Sequence, residues 1–233
     1  MNYVVVLSGG IGTRMGANIP KQYIEVNGRS ILSFCLETYQ KHQKVDRIVI
    51  VISEQWKTFA MEEIKRFSIS KFFCFANAGE SRQHSILNGL LKIKEKEQNI
   101  SEQDVVMVQD AVRPNVSEKL ITECLKFDGY DGTLPIINLQ DTIYYSEKGD
   151  CVDKLLDRDK LFAGQSPEAF LLKKYLEVHN GKSLKELADI RGGCQIAHAN
   201  GMRIKMFSGD YNNYKITTSY DLENFIAQKE SLS

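Results

Sequence analysis

Two cations and a cluster of glycines follow a short apolar run near the start of the chain. The run, residues 4–7, is rich in valine and predicts a buried strand. Glycines at positions 9, 10, 12 and 16 let backbone N–H groups approach an anion and let the chain turn sharply. Arg14 and Lys21 add the positive charge that a polyphosphate requires. We therefore predict that this loop binds phosphate groups.

The spacing of these glycines excludes the two commonest phosphate-binding loops. A Walker loop has Gly-Lys-Ser/Thr after its intervening residues, whereas Gly12 is followed by Thr13 and Arg14. A dinucleotide-binding loop has the pattern G-x-G-x-x-G, whereas this chain has glycines at 10, 12 and 16. The pattern therefore indicates a nucleoside triphosphate bound in another type of loop.

A second polar cluster, Asp-Ala-Val-Arg-Pro at 110–114, directly follows the apolar run 104–109. A carboxylate such as Asp110, at the end of a strand and opposite a phosphate loop, suits Mg²⁺ that bridges phosphates or suits a ribose hydroxyl. Capping of the turn before Pro114 explains Asp110 equally well. Arg113 either binds a second phosphate or is solvated. The sequence leaves these alternatives open.

Two further segments carry polar residues next to predicted helices. Segment 79–85 opens a helix whose N–H groups and hydroxyls can bind an anion or read a base, although capping by Ser81 alone also explains it. Segment 210–218 precedes the last helix, and its Lys215 faces either the phosphate site or solvent.

No pair of residues suggests covalent catalysis. The four histidines (42, 84, 179 and 198) have neither triad nor metal spacing, and no G-x-S-x-G motif is present. Direct displacement at phosphorus, driven by positioning and charge neutralisation, is therefore the favoured chemistry.

Strands and helices alternate along the first half of the chain, and this alternation must position the polar clusters. Strands are predicted at 4–7, 47–52, 72–76 and 104–109, and helices at 31–42, 54–67, 81–96 and 118–127. The pattern predicts an α/β fold with a doubly wound, mostly parallel, Rossmann-like sheet. Ligands bind beyond the carboxyl ends of such strands, where the glycine loop and Asp110 meet. Further on we predict helices at 171–180 and 184–199, a strand at 203–207 and a last helix at 218–229.

The alternation stops between residues 139 and 165. Strand-like runs at 141–147 and 151–156 flank a Lys-Gly-Asp turn at 148–150 that suits a hairpin. An isolated hairpin is marginally stable. We therefore predict a single domain, 1–233, in which 139–165 forms a projecting β-arm that packs on a second subunit of a homodimer.

Composition limits the classes of partner and compartment. The chain has 233 residues, and 30 Lys and Arg balance 30 Asp and Glu, so we expect neither nucleic acid nor a membrane surface as a partner. It contains no apolar stretch long enough to span a membrane. Five scattered cysteines, at 35, 74, 124, 151 and 194, favour reduced thiols and a cytoplasmic protein.

Taken together and in order, these segments resemble the cytidylyltransferases that make CDP-linked polyols. The family includes the methylerythritol-phosphate cytidylyltransferases of isoprenoid synthesis and the ribitol-5-phosphate cytidylyltransferases of teichoic-acid and capsule synthesis. The matching segments are 9–16, 20–23, 79–85, 110–114, 141–142, Arg158, 165–167 and 213–217.

The resemblance implies CTP as co-substrate, a phosphorylated polyol as acceptor and Mg²⁺ as cofactor. Arg14, Lys21 and Lys215 are implied to be catalytic, by clamping the phosphates, and Asp110 to hold the metal. The residues implied to bind the nucleotide are Leu7, Ser8, Gly9, Gly10, Gly12, Gly79, Arg82, Ser85, Asp110 and Ala111. Those implied to bind the acceptor are Arg113, Asp141, Thr142, Arg158 and Asp210, with Arg158 supplied to the partner's site by the arm.

Three differences from the family pattern concern the acceptor. Arg191-Gly192 stands where Thr-Asp is usual, Ser166-Pro167-Glu168 replaces Thr-Pro-Gln, and Tyr144 stands where methylerythritol-specific relatives often have lysine. These differences and the glycine-rich loop favour ribitol 5-phosphate or a related polyol or sugar phosphate. The alternatives are 2-C-methyl-D-erythritol 4-phosphate as acceptor, a sugar 1-phosphate nucleotidyltransferase, and a relative that binds nucleotide without catalysis.

Overall fold

The computed structural model describes residues 1–10 and 19–231. Two residues predicted to act on the nucleotide, Gly12 and Arg14, lie outside the described residues. Among the helices of the described part, none has the length and apolar character needed to cross a membrane.

Twelve strands are present in the described part of the chain. They are β1 (Asn2–Leu7), β2 (Glu25–Val26), β3 (Arg29–Ser30), β4 (Arg47–Ile52), β5 (Phe72–Asn77), β6 (Val105–Asp110), β7 (Gly132–Asn138), β8 (Tyr144–Tyr145), β9 (Lys154–Leu155), β10 (Phe162–Gly164), β11 (Glu168–Leu171) and β12 (Ile204–Ser208). The α-helices are α1 (Ile31–Lys41), α2 (Lys57–Arg66), α3 (Arg82–Lys96), α4 (Glu118–Cys124), α5 (Leu172–His179), α6 (Leu184–Asp189), α7 (Gly193–Ala199) and α8 (Ser219–Glu230).

Eight of the strands form one mostly parallel sheet. Strands β5, β4, β1 and β6 are parallel neighbours, and β7 and β12 run in the same direction. The antiparallel strand β11 lies between β6 and β7, and β10 also pairs antiparallel with β7. The carboxyl ends of β1, β6 and β12 therefore lie along one edge. This arrangement confirms the predicted doubly wound α/β fold.

Helices cover both faces of this sheet, which explains the almost uninterrupted apolar runs in its central strands. Alternate residues of β1 point to opposite faces: Val4 and Val6 pack in the cluster that contains α1, α2 and α4, whereas Tyr3 and Val5 pack with α3, α5, α6 and α7. On the second face, a Cβ at Gly89 of α3 would lie 2.7 Å from Val5 Cγ1, so glycine lets this helix approach β1 closely.

Most predicted elements are found within a few residues of their predicted bounds, but the C-terminal half differs. Strands β7, β10 and β11 were not predicted, because β7 contains Gly132 and Pro135 and the other two are very short. The predicted helix 184–199 is two helices, α6 and α7, which are separated at residues 190–192 because Gly192 disfavours a continuous helix.

The hairpin predicted at 141–156 is present but short. Tyr144 pairs with Leu155, and Tyr145 with Lys154, in a two-stranded sheet separate from the main one. Strand β10, which falls inside the range 139–165, instead pairs with β7 in the main sheet. The part of the arm that stands apart from the main sheet therefore ends before Phe162.

Candidate active site

The loop after β1 is held by side chains from the segment that follows the glycines. The Ser8 N–H donates to the Val51 carbonyl at 2.8 Å, and Gln22 Nε2 donates to the carbonyls of Ser8 and Gly10 at 2.7 and 2.8 Å. Tyr23 Oη also donates to the Ser8 carbonyl, at 2.7 Å. These contacts hold Ser8 and Gly10 in place at the end of β1.

Glycines permit close approach where this loop meets the start of α3. A Cβ on Gly9 would overlap Ala78, and a Cβ on Gly79 would lie 2.5 Å from the His84 ring. The Gly79 N–H donates to Ser85 Oγ at 2.9 Å, which leaves the hydroxyl hydrogen of Ser85 as a donor. This arrangement places backbone groups and one hydroxyl donor at the mouth of a cavity.

Lys21 and Lys215 both line the larger cavity of the site. Lys21 is 6% exposed, and its ammonium group donates to the Thr217 carbonyl. Segment 210–217 is held in place by Asn213, whose carbonyl accepts from Arg113 Nη1 at 2.6 Å and whose Nδ2 donates to the Ser166 carbonyl at 2.8 Å. The sequence segment that carries Lys215 is therefore anchored to the residues that follow β6 and β10.

Asp110, at the end of β6, is the centre of a charged cluster. Arg82 Nε and Nη2 each lie 3.3 Å from Asp110 Oδ1, and Lys215 Nζ lies 3.0 Å from Oδ2. Arg113 Nε is 3.8 Å from Oδ2. Burial by itself would raise the pKa of the Asp110 carboxyl, but Arg82, Lys215 and Arg113 hold that pKa well below its usual value. The carboxyl is therefore ionised at neutral pH.

Arg82 continues this cluster to a second carboxylate. Its Nη2 donates to Glu168 Oε1 at 3.1 Å, and Glu168 Oε2 accepts from the Cys194 N–H at 2.7 Å. Burial opposes the charge on Arg82, yet Asp110 and Glu168 raise its pKa above the usual value. One guanidinium group thus links the end of β6 to the start of β11, and Glu168 in turn contacts the start of α7.

Two cavities meet at the charged cluster. The larger, of about 700 Å³, is lined by Leu7, Gly9, Gly10, Lys21, Gln22, Ser53, Ala78, Gly79, Glu80, Ser81, Arg82, Ser85, Asp110, Val112, Lys215, Ile216 and Thr217. The smaller, of about 310 Å³, is lined by Arg82, Asp110, Arg113, Leu134, Gly164, Gln165, Ser166, Glu168, Arg191, Gly192, Cys194 and Lys215. Three charged side chains, those of Arg82, Asp110 and Lys215, belong to both.

The structure brings most of the predicted site residues together, but not all. Of the predicted nucleotide-binding residues that the structure describes, those that line the larger cavity are Leu7, Gly9, Gly10, Gly79, Arg82, Ser85 and Asp110. Neither Ser8 nor Ala111 is among the lining residues; both are buried behind the cavity wall.

Of the predicted acceptor-binding residues, one lines a cavity of the site and four do not. Arg113 lines the smaller cavity. Within the described part of this one chain, Asp141, Thr142, Arg158 and Asp210 line neither cavity. Arg158 lies at the base of the arm, where its Nη1 donates to the Gln140 carbonyl at 2.6 Å.

Sequence reasoning did not assign roles to several residues that shape the site. Gln22 braces the glycine loop, and Gln165 Nε2 donates to the Asp210 carbonyl at 2.8 Å. Glu168 and Arg191 line the smaller cavity. The signal for Glu168 and Arg191 was their departure from the family pattern, and the signal for Gln22 and Gln165 was their place in segments 20–23 and 165–167, which match that pattern.

The described residues contain no group of three or more His, Cys, Asp or Glu side chains that could hold a metal ion. Mg²⁺ commonly uses only one or two carboxylates and completes its coordination with water and substrate phosphates. Asp110 is a single ionised carboxylate beside a large cavity, so the donor set fits an ion held jointly with a polyphosphate.

Comparisons with known proteins agree with this geometry. The family model described as 2-C-methyl-D-erythritol 4-phosphate cytidylyltransferase matches residues 2–228. Curated proteins of that name from Clostridium novyi and Clostridium acetobutylicum are 30% and 31% identical to this chain. Each alignment covers 95% of this chain, and 93% and 94% of the respective relative.

Solved structures give the same result for the fold. The 4-diphosphocytidyl-2C-methyl-D-erythritol synthase of Anaerococcus prevotii has a TM-score of 0.81 at 23% identity, covering 98% of this chain and 96% of its own. The 2-C-methyl-D-erythritol 4-phosphate cytidylyltransferase of Francisella tularensis has a TM-score of 0.78 at 25% identity, with coverage of 97% and 99%. The chain is a nucleotidyltransferase that belongs to the 2-C-methyl-D-erythritol 4-phosphate cytidylyltransferase family.

Proposed function

We propose that this enzyme transfers the cytidylyl group of CTP to the phosphate of 2-C-methyl-D-erythritol 4-phosphate and releases pyrophosphate. The observation that carries this proposal is the charged cluster of Asp110, Arg82 and Lys215, which lies between a large and a small cavity. The larger cavity suits CTP, and the smaller suits a phosphorylated polyol. Reaction between two anions requires several cations at the point where they meet.

In the proposed reaction, an oxygen of the acceptor phosphate attacks the α-phosphorus of CTP. A new P–O bond forms while the bond from the α-phosphorus to the bridging β-oxygen breaks, and pyrophosphate leaves with its electrons. The acceptor phosphate is already anionic, so this step needs no general base. Lys21 and Lys215 stabilise the charge that develops on the phosphoryl oxygens, and Arg14 is proposed to join them.

CTP is proposed to lie with its base near the start of α3 and its triphosphate beside Lys21. The Ser85 hydroxyl has a hydrogen available for an acceptor atom of cytosine, because its oxygen already accepts from Gly79. Asp110 would hold Mg²⁺, which neutralises phosphate charge when bound. Before substrate binds, the Lys215 ammonium group is held at the meeting point of the cavities by Asp110.

The arm is proposed to form a homodimer and to deliver Arg158 to the partner's acceptor site. Large apolar side chains on the hairpin are exposed: Tyr144 by 61%, Val152 by 63% and Leu155 by 64%. Burial of such side chains in an interface is favourable. Arg158, Asp141 and Thr142 line neither cavity of their own chain, which supports a role for the arm in another subunit. A cytoplasmic location stays a prediction, supported by the five free thiols.

Sequence features alone favoured ribitol 5-phosphate or a related polyol or sugar phosphate as the acceptor. The comparisons instead favour 2-C-methyl-D-erythritol 4-phosphate. The curated relatives named for methylerythritol phosphate match 95% of the chain. The decisive experiment measures the release of pyrophosphate from CTP in the presence of Mg²⁺, with 2-C-methyl-D-erythritol 4-phosphate and ribitol 5-phosphate as acceptors in turn. We expect the highest kcat/KM with 2-C-methyl-D-erythritol 4-phosphate. A higher value with ribitol 5-phosphate would overturn the acceptor assignment, and no release with any phosphorylated polyol would overturn the proposed function.

A further inference from the structure

Glu168 is the second carboxylate of the smaller cavity, and the proposed reaction does not use it. It is the first residue of β11, directly after Ser166 and Pro167, and its side chain is 9% exposed. A buried carboxylate is costly unless it is paired and hydrogen-bonded. Arg82 and the Cys194 N–H supply those partners, at 3.1 and 2.7 Å. Glu168 is therefore held in a fixed orientation at the cavity wall.

The start of α7 is shaped around this carboxylate. Gly192, the N-cap residue of α7, has no side chain to cap the helix. A Cβ on the next residue, Gly193, would overlap Glu168 Oε2 and lie 3.0 Å from Tyr175 Oη. Glycine at 193 is thus required for the carboxylate to reach the Cys194 N–H.

The carboxylate retains hydrogen-bonding capacity toward the cavity. A carboxylate offers about four lone-pair sites. Arg82 and the Cys194 N–H take two of them, and the Cys194 thiol also hydrogen-bonds the carboxylate, which leaves about one site for a ligand. Glu168 repels a phosphate group, so the ligand group that it suits is an uncharged donor such as a hydroxyl. The phosphate end of the acceptor has Arg82, Arg113 and Lys215 in the same cavity.

We propose that Glu168 accepts a hydrogen bond from a hydroxyl group of the acceptor and makes the smaller cavity selective for a polyol phosphate over a plain alkyl phosphate. This inference rests on the proposed function in that it assigns the smaller cavity to the acceptor. The Arg82 guanidinium group contacts both Glu168 and Asp110, and Lys215 contacts Asp110, so an acceptor whose phosphate lies beside Lys215 can reach Glu168 with its hydroxyl groups.

The test measures binding rather than turnover. Erythritol 4-phosphate and n-butyl phosphate, which differ in their hydroxyl groups, are titrated calorimetrically into the enzyme with Mg²⁺ and a non-hydrolysable CTP analogue. A Glu168→Gln variant keeps an oxygen for the Cys194 N–H but loses the charge. Loss of a hydrogen bond to a charged group weakens binding by about tenfold or more. We therefore expect Glu168→Gln to raise the Kd of erythritol 4-phosphate about tenfold or more. The Kd of n-butyl phosphate should change by less than about threefold.

The matched control is Glu186→Gln. Glu186 is also a carboxylate beside a helix start, because it completes the capping box of α6, but it lines neither of the two cavities of the site. We expect this variant to bind both phosphates as the wild type does.

Three outcomes would overturn the proposal. If Glu168→Gln raised the Kd of both phosphates equally and also weakened binding of the CTP analogue, Glu168 would act only by holding Arg82. Unchanged binding of erythritol 4-phosphate would exclude any role. Failure of the wild type to bind either phosphate would show that the smaller cavity is not an acceptor site. Failure of the proposed function has a different signature, namely acceptor binding without release of pyrophosphate from CTP.

Discussion

Replacement of Lys215 by methionine tests whether the charged cluster serves catalysis rather than stability. The Lys215 ammonium group lines both cavities and lies 3.0 Å from Asp110 Oδ2. Methionine keeps an unbranched apolar stem and removes only the charge. Loss of one preorganised charge contact in a transition state costs about 10²–10³ in kcat. We therefore expect kcat to fall about 100-fold or more, which corresponds to about 2.7 kcal/mol.

The cost in folding stability is much smaller. The Lys215 side chain is 39% exposed, so its ion pair with Asp110 is partly screened by solvent. Ion pairs of this kind contribute about 0–1 kcal/mol to the free energy of unfolding. The chain offers a matched pair in Lys174 and Asp131, whose side chains are 50% and 17% exposed, compared with 39% and 13% for Lys215 and Asp110. That pair lies beside the start of β7, at the opposite end of the strands.

The assay measures kcat for pyrophosphate release and the free energy of unfolding by urea denaturation for both variants. We expect Lys174→Met to match Lys215→Met in stability within about 1 kcal/mol and to keep wild-type turnover. The reasoning would be refuted by a Lys215→Met enzyme that retains kcat within about threefold of wild type. It would also be refuted if Lys174→Met lost turnover to the same extent.

Three further predictions concern other parts of the molecule. Lys21→Met should lower kcat about 100-fold with little effect on folding, because it removes another charge contact to the phosphates; undiminished turnover would remove Lys21 from the reaction. Arg158→Ala should raise the KM for the acceptor while the Kd for CTP stays unchanged, and an equal loss of CTP affinity would place Arg158 in the nucleotide site. His179 is fully buried, and burial lowers its pKa from 6.5 to about 4. As the pH falls through 6.5 the unfolded chain therefore takes up a proton before the folded one does, and the free energy of unfolding should drop by about 2 kcal/mol between pH 7 and pH 5. Urea denaturation at both pH values checks this, and an equal drop in His179→Gln would contradict it.

Periodicity and composition predicted the strands and helices of the first half of the chain. Strand β4, for example, is apolar from Ile48 to Ile52, and helix α3 begins after a recognisable N-cap, Ser81, whose side chain accepts from the His84 N–H at 3.1 Å. These signals are local. They placed Gly9, Gly10 and Asp110 at the same edge, as the structure has them.

The sheet strands of the second half of the chain depend on contacts that are distant in sequence. Strand β11 has only four residues, and it is fixed by pairing with β6 and β7 rather than by its own pattern. Glu168 meets Arg82 across 86 positions of sequence. No local rule predicts such a contact, so the sequence could identify the altered acceptor region without showing how its residues are arranged.

The central claim is that the α-phosphate of CTP is transferred to a polyol phosphate. The most direct measurement incubates the enzyme and Mg²⁺ with CTP labelled at either the α- or the γ-phosphate, with and without 2-C-methyl-D-erythritol 4-phosphate. The proposed reaction sends the α-label into a CDP-polyol and the γ-label into pyrophosphate, in both cases only when the acceptor is present. Release of the α-label as CMP, or release of pyrophosphate that does not depend on the acceptor, would contradict the claim.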